Sequence, residues 1–428
     1  MSNEPKLRKN MFLLILLVMA GSIIYMLPYF RSYYYDAFKA AFNMNNTEIG
    51  RCGTYYGLFG AVSYLVGGYI ADKISFKLLV PGSLIVTGAL GLYLLTIPSP
   101  FAVAVVHGIW GITSLMTFWP ALVKALRAVG NQNEQGRVFG IFEGGRGVVN
   151  GVVYAIAAAV FAAFMSEVNP FSGIAQLLIM YSVLPIVLGI LLIFALRNVD
   201  NVHGEDESGK INFKLIATAL KNPGIWLASL MMLFAYIISV SFYYFAPYAT
   251  SAFGVSVLAA AIISSSSTYI RPISAIGSGF LADRINSSKV YLIGEVLLAI
   301  GLLFVIFTPV GTSIIPVLIG CVIVYFAVFM NQSMYFAILE EVHIPTAVSG
   351  TAIGLMCTIG YLPDAFVPAV VGRVLDSYPE GSYEGYRVLF YMMLGAILIS
   401  IILTLLWLRN TRERRAEILR SRRSEAPR

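Results

Sequence analysis

Apolar residues run in long blocks along the whole chain, separated by short polar breaks. About 20 apolar residues in a helix cross the roughly 30 Å hydrocarbon core of a bilayer, and the blocks reach that length. The pattern predicts twelve membrane helices, at about 10–41, 47–71, 78–97, 101–126, 136–165, 173–196, 224–249, 256–282, 290–307, 313–338, 347–371 and 386–408. Two breaks have evident local causes. Asn46-Thr47-Glu48 offers a cap for the second helix. Pro98-Ser99-Pro100 makes a minimal turn between the third and fourth. The first helix is expected to continue past Pro28, because Arg31–Phe42 keeps a helical composition. The run Met11–Pro28 is too long for a signal core, so the first helix is expected to be retained.

The polar breaks set the organisation. The only substantial polar linker is 198–221, which carries HGEDESGK and separates two blocks of six helices. The expected domains are therefore 1–197, a linker at 198–221, 222–409 and a basic tail at 410–428. Lysine and arginine alternate in abundance between the two sides of the membrane. Lys6, Arg8, Lys9, Lys73, Lys77, Lys124, Arg127, Arg137, Arg197, Lys210, Lys214, Arg284 and Lys289 fall on one side, together with a tail holding eight arginines from Arg409 onward. By the positive-inside rule that side is cytoplasmic, and both termini lie on it.

Composition agrees with the pattern: 58% of residues are hydrophobic and 12% charged, and the mean hydropathy is +0.79. A soluble domain carries about 25% charged residues. The formal net charge of +7 sits in connections and at the ends, which points to membrane topology and not to nucleic acid. Cys52, Cys321 and Cys357 lie in apolar segments without metal-ligand spacing, and His107, His203 and His343 are scattered. No metal or other cofactor is expected, and no cluster of nucleophile, base and metal ligand marks an enzyme.

A repeat ties the two blocks together. Gly68-Tyr-Ile-Ala-Asp72-Lys73-Ile-Ser75-Phe-Lys77 follows the second helix, and Gly279-Phe-Leu-Ala-Asp283-Arg284-Ile-Asn286 follows the eighth, 211 residues later. Gly136-x-x-x-Gly140 recurs likewise as Gly350-x-x-x-Gly354, 214 residues on. The paired G-x-x-x-D-[KR] loops resemble the signature that the major facilitator superfamily carries once in each half. The resemblance implies an all-α integral membrane fold of twelve helices in two pseudo-symmetric six-helix bundles, functioning as a monomer. Glycine allows helix ends to approach closely, and Asp72, Lys73, Lys77, Asp283 and Arg284 form a charge network suited to gating.

Ionisable groups inside a span are functional candidates by default, since an arginine at a helix centre costs about 2.5–3.5 kcal/mol. Arg271 lies twelve residues before Asp283, about 18 Å deep, behind the serines 264–267 and before Pro272, where a bend is expected. It is read either as a substrate ligand or as the ion-pair partner of Asp364. Arg146 lies nine residues beyond Arg137, about 14 Å deep. It serves the substrate or pairs with Glu143 on the same helix face. Arg31 stands among Tyr29, Phe30 and Tyr33–Tyr35, either as a substrate ligand or as an interfacial arginine. Asp364 is read as a proton carrier, a partner of Arg271, or both. Tyr35 and Tyr269 are candidates to bracket an organic body, while Glu295 and His107 read as packing residues.

Three deep arginines imply an anionic substrate, because guanidinium binds phosphate, sulfonate and carboxylate through paired hydrogen bonds and keeps its charge when buried. Tyr29-Phe-Arg31, followed by Ile49-Gly50, looks like the first-helix pattern of organophosphate:phosphate antiporters. Glu134-Gln-Gly136 with Phe142-Glu-Gly-Gly-Arg146 is similar to the fifth-helix pattern of that family. The resemblance implies that Arg31 holds the anion and that Arg146 takes the place of a substrate-contacting histidine. The seventh-helix arginine of that family falls near Ser239 and is missing, which leaves Arg271 to replace it from the eighth helix.

The sequence therefore predicts an inner-membrane secondary transporter for a small organic anion (organophosphate, sulfonate or sugar acid), working by alternating access. The coupling partner is a counter-anion or protons, through Asp364 or Glu143. A proton-coupled sugar-acid or carboxylate symporter is the alternative within transport. A non-transporting membrane anion sensor is the alternative outside it.

Overall fold

The computed structural model describes residues 6–130, 134–166, 168–197, 199, 221–342 and 346–425. Most of the expected linker at 198–221, His203 and His343 lie outside the described residues. Helix is the dominant element throughout. Among the described residues, twelve segments have the length to cross a bilayer. The first, α1, is made of Met11–Ile23, Met26–Tyr33 and Tyr35–Ala41. Then follow α2 (Asn46–Lys73), α3 (Phe76–Tyr93), α4 (Pro100–Val129), α5 (Gln135–Phe164) and α6 (Phe171–Ala195). The rest are α7 (Pro223–Phe253), α8 (Val257–Ile285), α9 (Ser287–Phe307), α10 (Ile315–Met334), α11 (Thr346–Gly360 with Pro363–Asp376) and α12 (Glu384–Asn410). The described tail is also helical, as α13 (Arg412–Glu425).

The first helix departs from the sequence expectation. It is not continuous: its first two pieces meet at 41°, and Tyr34 leaves helical geometry at ψ 46°. Proline has no N–H and its ring clashes with the carbonyl four residues earlier. For Pro28 that carbonyl belongs to Ile24, where the break falls. Pro120 acts similarly in α4, where Ile112–Phe118 relaxes into a π-helical stretch. Pro272, where a bend is expected, lies inside α8, which runs from Val257 to Ile285.

The chain divides into two compact units. One comprises Met1–Lys210 and Val257–Thr268, the other Ile211–Ser256 and Tyr269–Arg428. In the first unit α3 lies along α6, α2 along α4, and α1 against α5 and α6. In the second, α9 packs along α10 and α12, and α12 along α7. Small residues set the closest approaches, as expected where lipid removes the hydrophobic drive between helices. A Cβ added to Gly301 of α9 would sit 2.9 Å from the Gly320 carbonyl oxygen, and one on Gly320 2.7 Å from that of Gly301.

One end of the second unit is tied together by a buried carboxylate. Glu341 is 3% exposed and accepts hydrogen bonds from the Ser288 backbone N–H (2.9 Å) and from Trp407 Nε1 (2.8 Å). Arg415 Nε of α13 lies 3.9 Å away, and the Arg415 carbonyl accepts from Asn286 Nδ2 at 3.3 Å. The start of α9, the end of α12 and the tail helix thus meet at one side chain. Glu341→Ala leaves an indole N–H and a backbone N–H without their acceptor and a buried arginine without its counter-charge, and should cost about 3 kcal/mol. Thermal unfolding of the detergent-purified protein measures this, with Glu340→Ala next door as the control. Equal stability of the two variants would show that Glu341 is not the tie.

Candidate functional site

In the first unit, α1 brings Arg31 inward just beyond the break that Pro28 causes. The residue is 7% exposed. Among the described residues it forms no ion pair or hydrogen bond, and its Nε is buried without an acceptor. The groups that feel its charge are Cys52 of α2 and His107 of α4, neither of which supplies a negative charge. His107 is fully buried, wedged against Trp110 at 4.8 Å and Phe38 at 6.2 Å between ring centroids. Its Nδ1–H donates to the Val103 carbonyl at 2.8 Å, so the ring is held by its own helix as the packing reading expects. Tyr29 lies on the neighbouring turn of α1 and meets Tyr56 edge-on at 5.4 Å.

Arg146 on α5 is handled differently. Its Nη1 lies 3.0 Å from Glu143 Oε1, one turn earlier on the same helix. Three rings surround the guanidinium, Trp119 at 5.2 Å, Phe142 at 5.3 Å and Tyr25 at 6.0 Å. The aromatic faces stabilise the cation, and Glu143 neutralises it. The pair is asymmetric, because the Arg146 side chain is 14% exposed and that of Glu143 57%. The anionic partner is the one within reach of an incoming ligand. Tyr35 is committed elsewhere, since its hydroxyl donates to Asn46 Oδ1 at 2.8 Å and ties α1 to the start of α2.

In the second unit, Arg271 is exposed and sits over the Phe329 ring at 5.5 Å. Among the described residues no ion pair joins Arg271 to Asp364, the alternative to the substrate reading. Asp364 lies in the first turn of the second piece of α11, where a helix N-terminus favours an acid. It accepts from the Tyr236 hydroxyl at 3.0 Å. Tyr236 stacks edge-on against Tyr361 at 4.8 Å, which holds the phenol that binds Asp364. Tyr269 is half-exposed, two residues before Arg271.

The gating motifs divide likewise. The side chains of Gly68, Asp72, Gly136 and Gly350 lie outside the described residues. Lys73 is exposed, and Lys77 Nζ donates to the Arg197 carbonyl at 3.1 Å. Asp283 and Arg284 are exposed, and a Cβ added at Gly279 would meet nothing within 4 Å. Sequence reasoning missed the aromatic box around Arg146 and the role of Tyr236. Trp119 and Phe142 lie far from Arg146 in the chain or on its own helix face, and only packing gathers them.

The matches to known proteins agree with this architecture. The family model described as Major Facilitator Superfamily matches residues 11–368. The chain is 28% identical over 420 residues to the inner membrane protein YihN of Escherichia coli, covering 96% of this chain and 98% of that one. It is 27% identical over 394 residues to the inner membrane protein YqcE of the same organism, covering 90% and 92%. A crystal structure of a bacterial homologue of the human lysosomal transporter Spinster, inward-facing and occupied, superposes with a TM-score of 0.76 at 14% identity, covering 94% and 97% of the two chains. With twelve helices, paired signature loops and a family match over most of its length, this chain belongs to the Major Facilitator Superfamily.

Proposed function

We propose that this protein is a secondary active transporter of a small organic anion, an organophosphate, sulfonate or sugar acid. The observation that carries this reading is Arg31. A guanidinium keeps its charge at any accessible pH, and a buried one without a counter-charge is costly. A ligand oxyanion is the partner that removes this cost, and the guanidinium fork suits its paired oxygens. Arg146 and Arg271 serve as further ligands. Arg146 is held in place by its aromatic box and exchanges Glu143 for the substrate. Asp72, Lys73, Lys77, Asp283 and Arg284 control opening during alternating access. The protein resides in the inner membrane, as its relatives YihN and YqcE are named. Lysine and arginine place both termini on the cytoplasmic side, and the working form is a monomer.

Proton symport of a carboxylate is the second reading. It is favoured by Asp364, an acid within α11 whose carboxylate accepts from the Tyr236 hydroxyl. Uptake into proteoliposomes separates these readings. Glucose 6-phosphate, methanesulfonate and glucuronate are offered beside neutral glucose. At least one anion should be carried and glucose should not. Arg31→Gln should lower that uptake about 100-fold, the loss of roughly 3 kcal/mol from a charge-assisted contact. Equal uptake of glucose, or wild-type uptake by the variant, contradicts the anion reading. Anion exchange that persists without a pH gradient favours the antiporter, and accumulation that needs the gradient favours the symporter.

The Arg146–Glu143 pair gives an opposite-sign expectation. Glu143→Gln releases the arginine from its local carboxylate and should tighten binding of the carried anion about fivefold, as for a partly exposed ion pair worth roughly 1 kcal/mol. Arg146→Gln should weaken it. Weaker binding in both variants, measured by titration calorimetry, would mean that Glu143 positions Arg146 and does not compete with the substrate.

A further inference from the structure

Glu295 lies in the middle of α9, fully buried, and among the described residues no lysine, arginine or histidine acts on it. Its surroundings come from three other helices. α12 contributes Ser400 and, one turn on, Thr404, both fully buried. α7 contributes only backbone, the carbonyl of Met231. α10 contributes Asn331, whose amide presses against Gly294, and Tyr335 follows at its C-terminal end. Tyr291 stands one turn earlier on α9 itself. The titratable groups that face Glu295 are thus Tyr291 and Tyr335, and neither supplies a positive charge.

The Met231 carbonyl oxygen only accepts, and it receives the Tyr291 hydroxyl at 3.0 Å and the Ser400 hydroxyl at 3.0 Å. A serine hydroxyl has one proton to give, and the Met231 carbonyl, having none, can only receive it. Yet Ser400 Oγ is also hydrogen-bonded to Glu295 Oε1. The proton in that second bond must come from Glu295. All three contacts are hydrogen bonds together only when Glu295 is a carboxylic acid that donates to Ser400.

We infer that Glu295 is a proton-binding site whose occupancy holds α7, α9 and α12 in the packing described. The chain of bonds Glu295–Ser400–Met231–Tyr291 joins those three helices, and its first link is the acid proton. Removing the proton in place leaves a carboxylate in the membrane interior with no cation, which costs several kcal/mol. Release of the proton must therefore accompany separation of these helices. This reading rests on the transporter family alone and is independent of the substrate's charge.

The experiment needs no substrate. Infrared spectra of the full-length protein in lipid, recorded in light and heavy water as pH is raised, report a protonated carboxyl. Hydrogen–deuterium exchange over 223–241 and 384–410, corrected for intrinsic pH dependence, reports the helix packing. The wild type should show a carboxylic-acid band that Glu295→Gln lacks. Ser400→Ala, which removes the acceptor but keeps the acid, should shift the band without abolishing it. Loss of the band at high pH should bring faster exchange in both segments, a response absent in Glu295→Gln. The inference is overturned by a wild type with no such band, by a band lost without any change in exchange, or by a glutamine variant that opens with pH as the wild type does.

Discussion

Charge inside a low-dielectric interior has to be compensated, and the arrangement of this protein follows from how each buried charge meets that demand. Arg146 is neutralised by Glu143 one turn away and boxed by Tyr25, Trp119 and Phe142. Arg271 stands exposed over the face of Phe329. Asp364 is held by the Tyr236 hydroxyl, and Glu341 gathers an amide, an indole and an arginine at one end of the second unit. Arg31 alone of the three deep arginines has neither a carboxylate nor an aromatic face among the described residues. Its surroundings solve the packing problem, and in the proposed function a ligand oxyanion meets the electrostatic one.

Backbone chemistry places these groups. Pro28 ends the first piece of α1 at Ile24 and re-aims the segment that carries Arg31. Pro120 coincides with the π-helical stretch that precedes Trp119, one wall of the Arg146 box. Pro363 opens the second piece of α11 and sets Asp364 in its first turn. In each case a residue that cannot continue regular helix geometry stands within a few positions of a charged or charge-binding side chain. The helices between them are regular, and close contacts such as Gly301 with Gly320 keep them fixed.

Much of this was legible in the sequence, for identifiable reasons. Among the described residues nine helices and one bent pair are long and apolar enough to follow from apolar run length, and Glu143 with Arg146 follows from helical spacing, because both are local. The break in α1 was not placed, since the effect of Pro28 acts on a carbonyl four residues back and the composition past it still favours helix. Asp364 offered Arg271 as its partner by charge alone, whereas Tyr236, 128 residues away, takes that place through packing. Glu295 read as an isolated packing residue because Ser400 is 105 residues distant. Local chemistry is written in spacing. Partnerships across the unit depend on which helix faces meet.

The central claim is that Arg31 is a buried charge left uncompensated in the absence of ligand. Its direct test is the thermal stability of Arg31→Met, with and without the anion that the wild type carries. An apolar side chain of similar length relieves the desolvation cost, so the ligand-free variant should be more stable than wild type by about 2 kcal/mol. It should also lose the stabilisation that the anion confers by mass action. A variant less stable than wild type without ligand, or one still stabilised by the anion, would show that Arg31 has a structural partner and is not the anion's ligand.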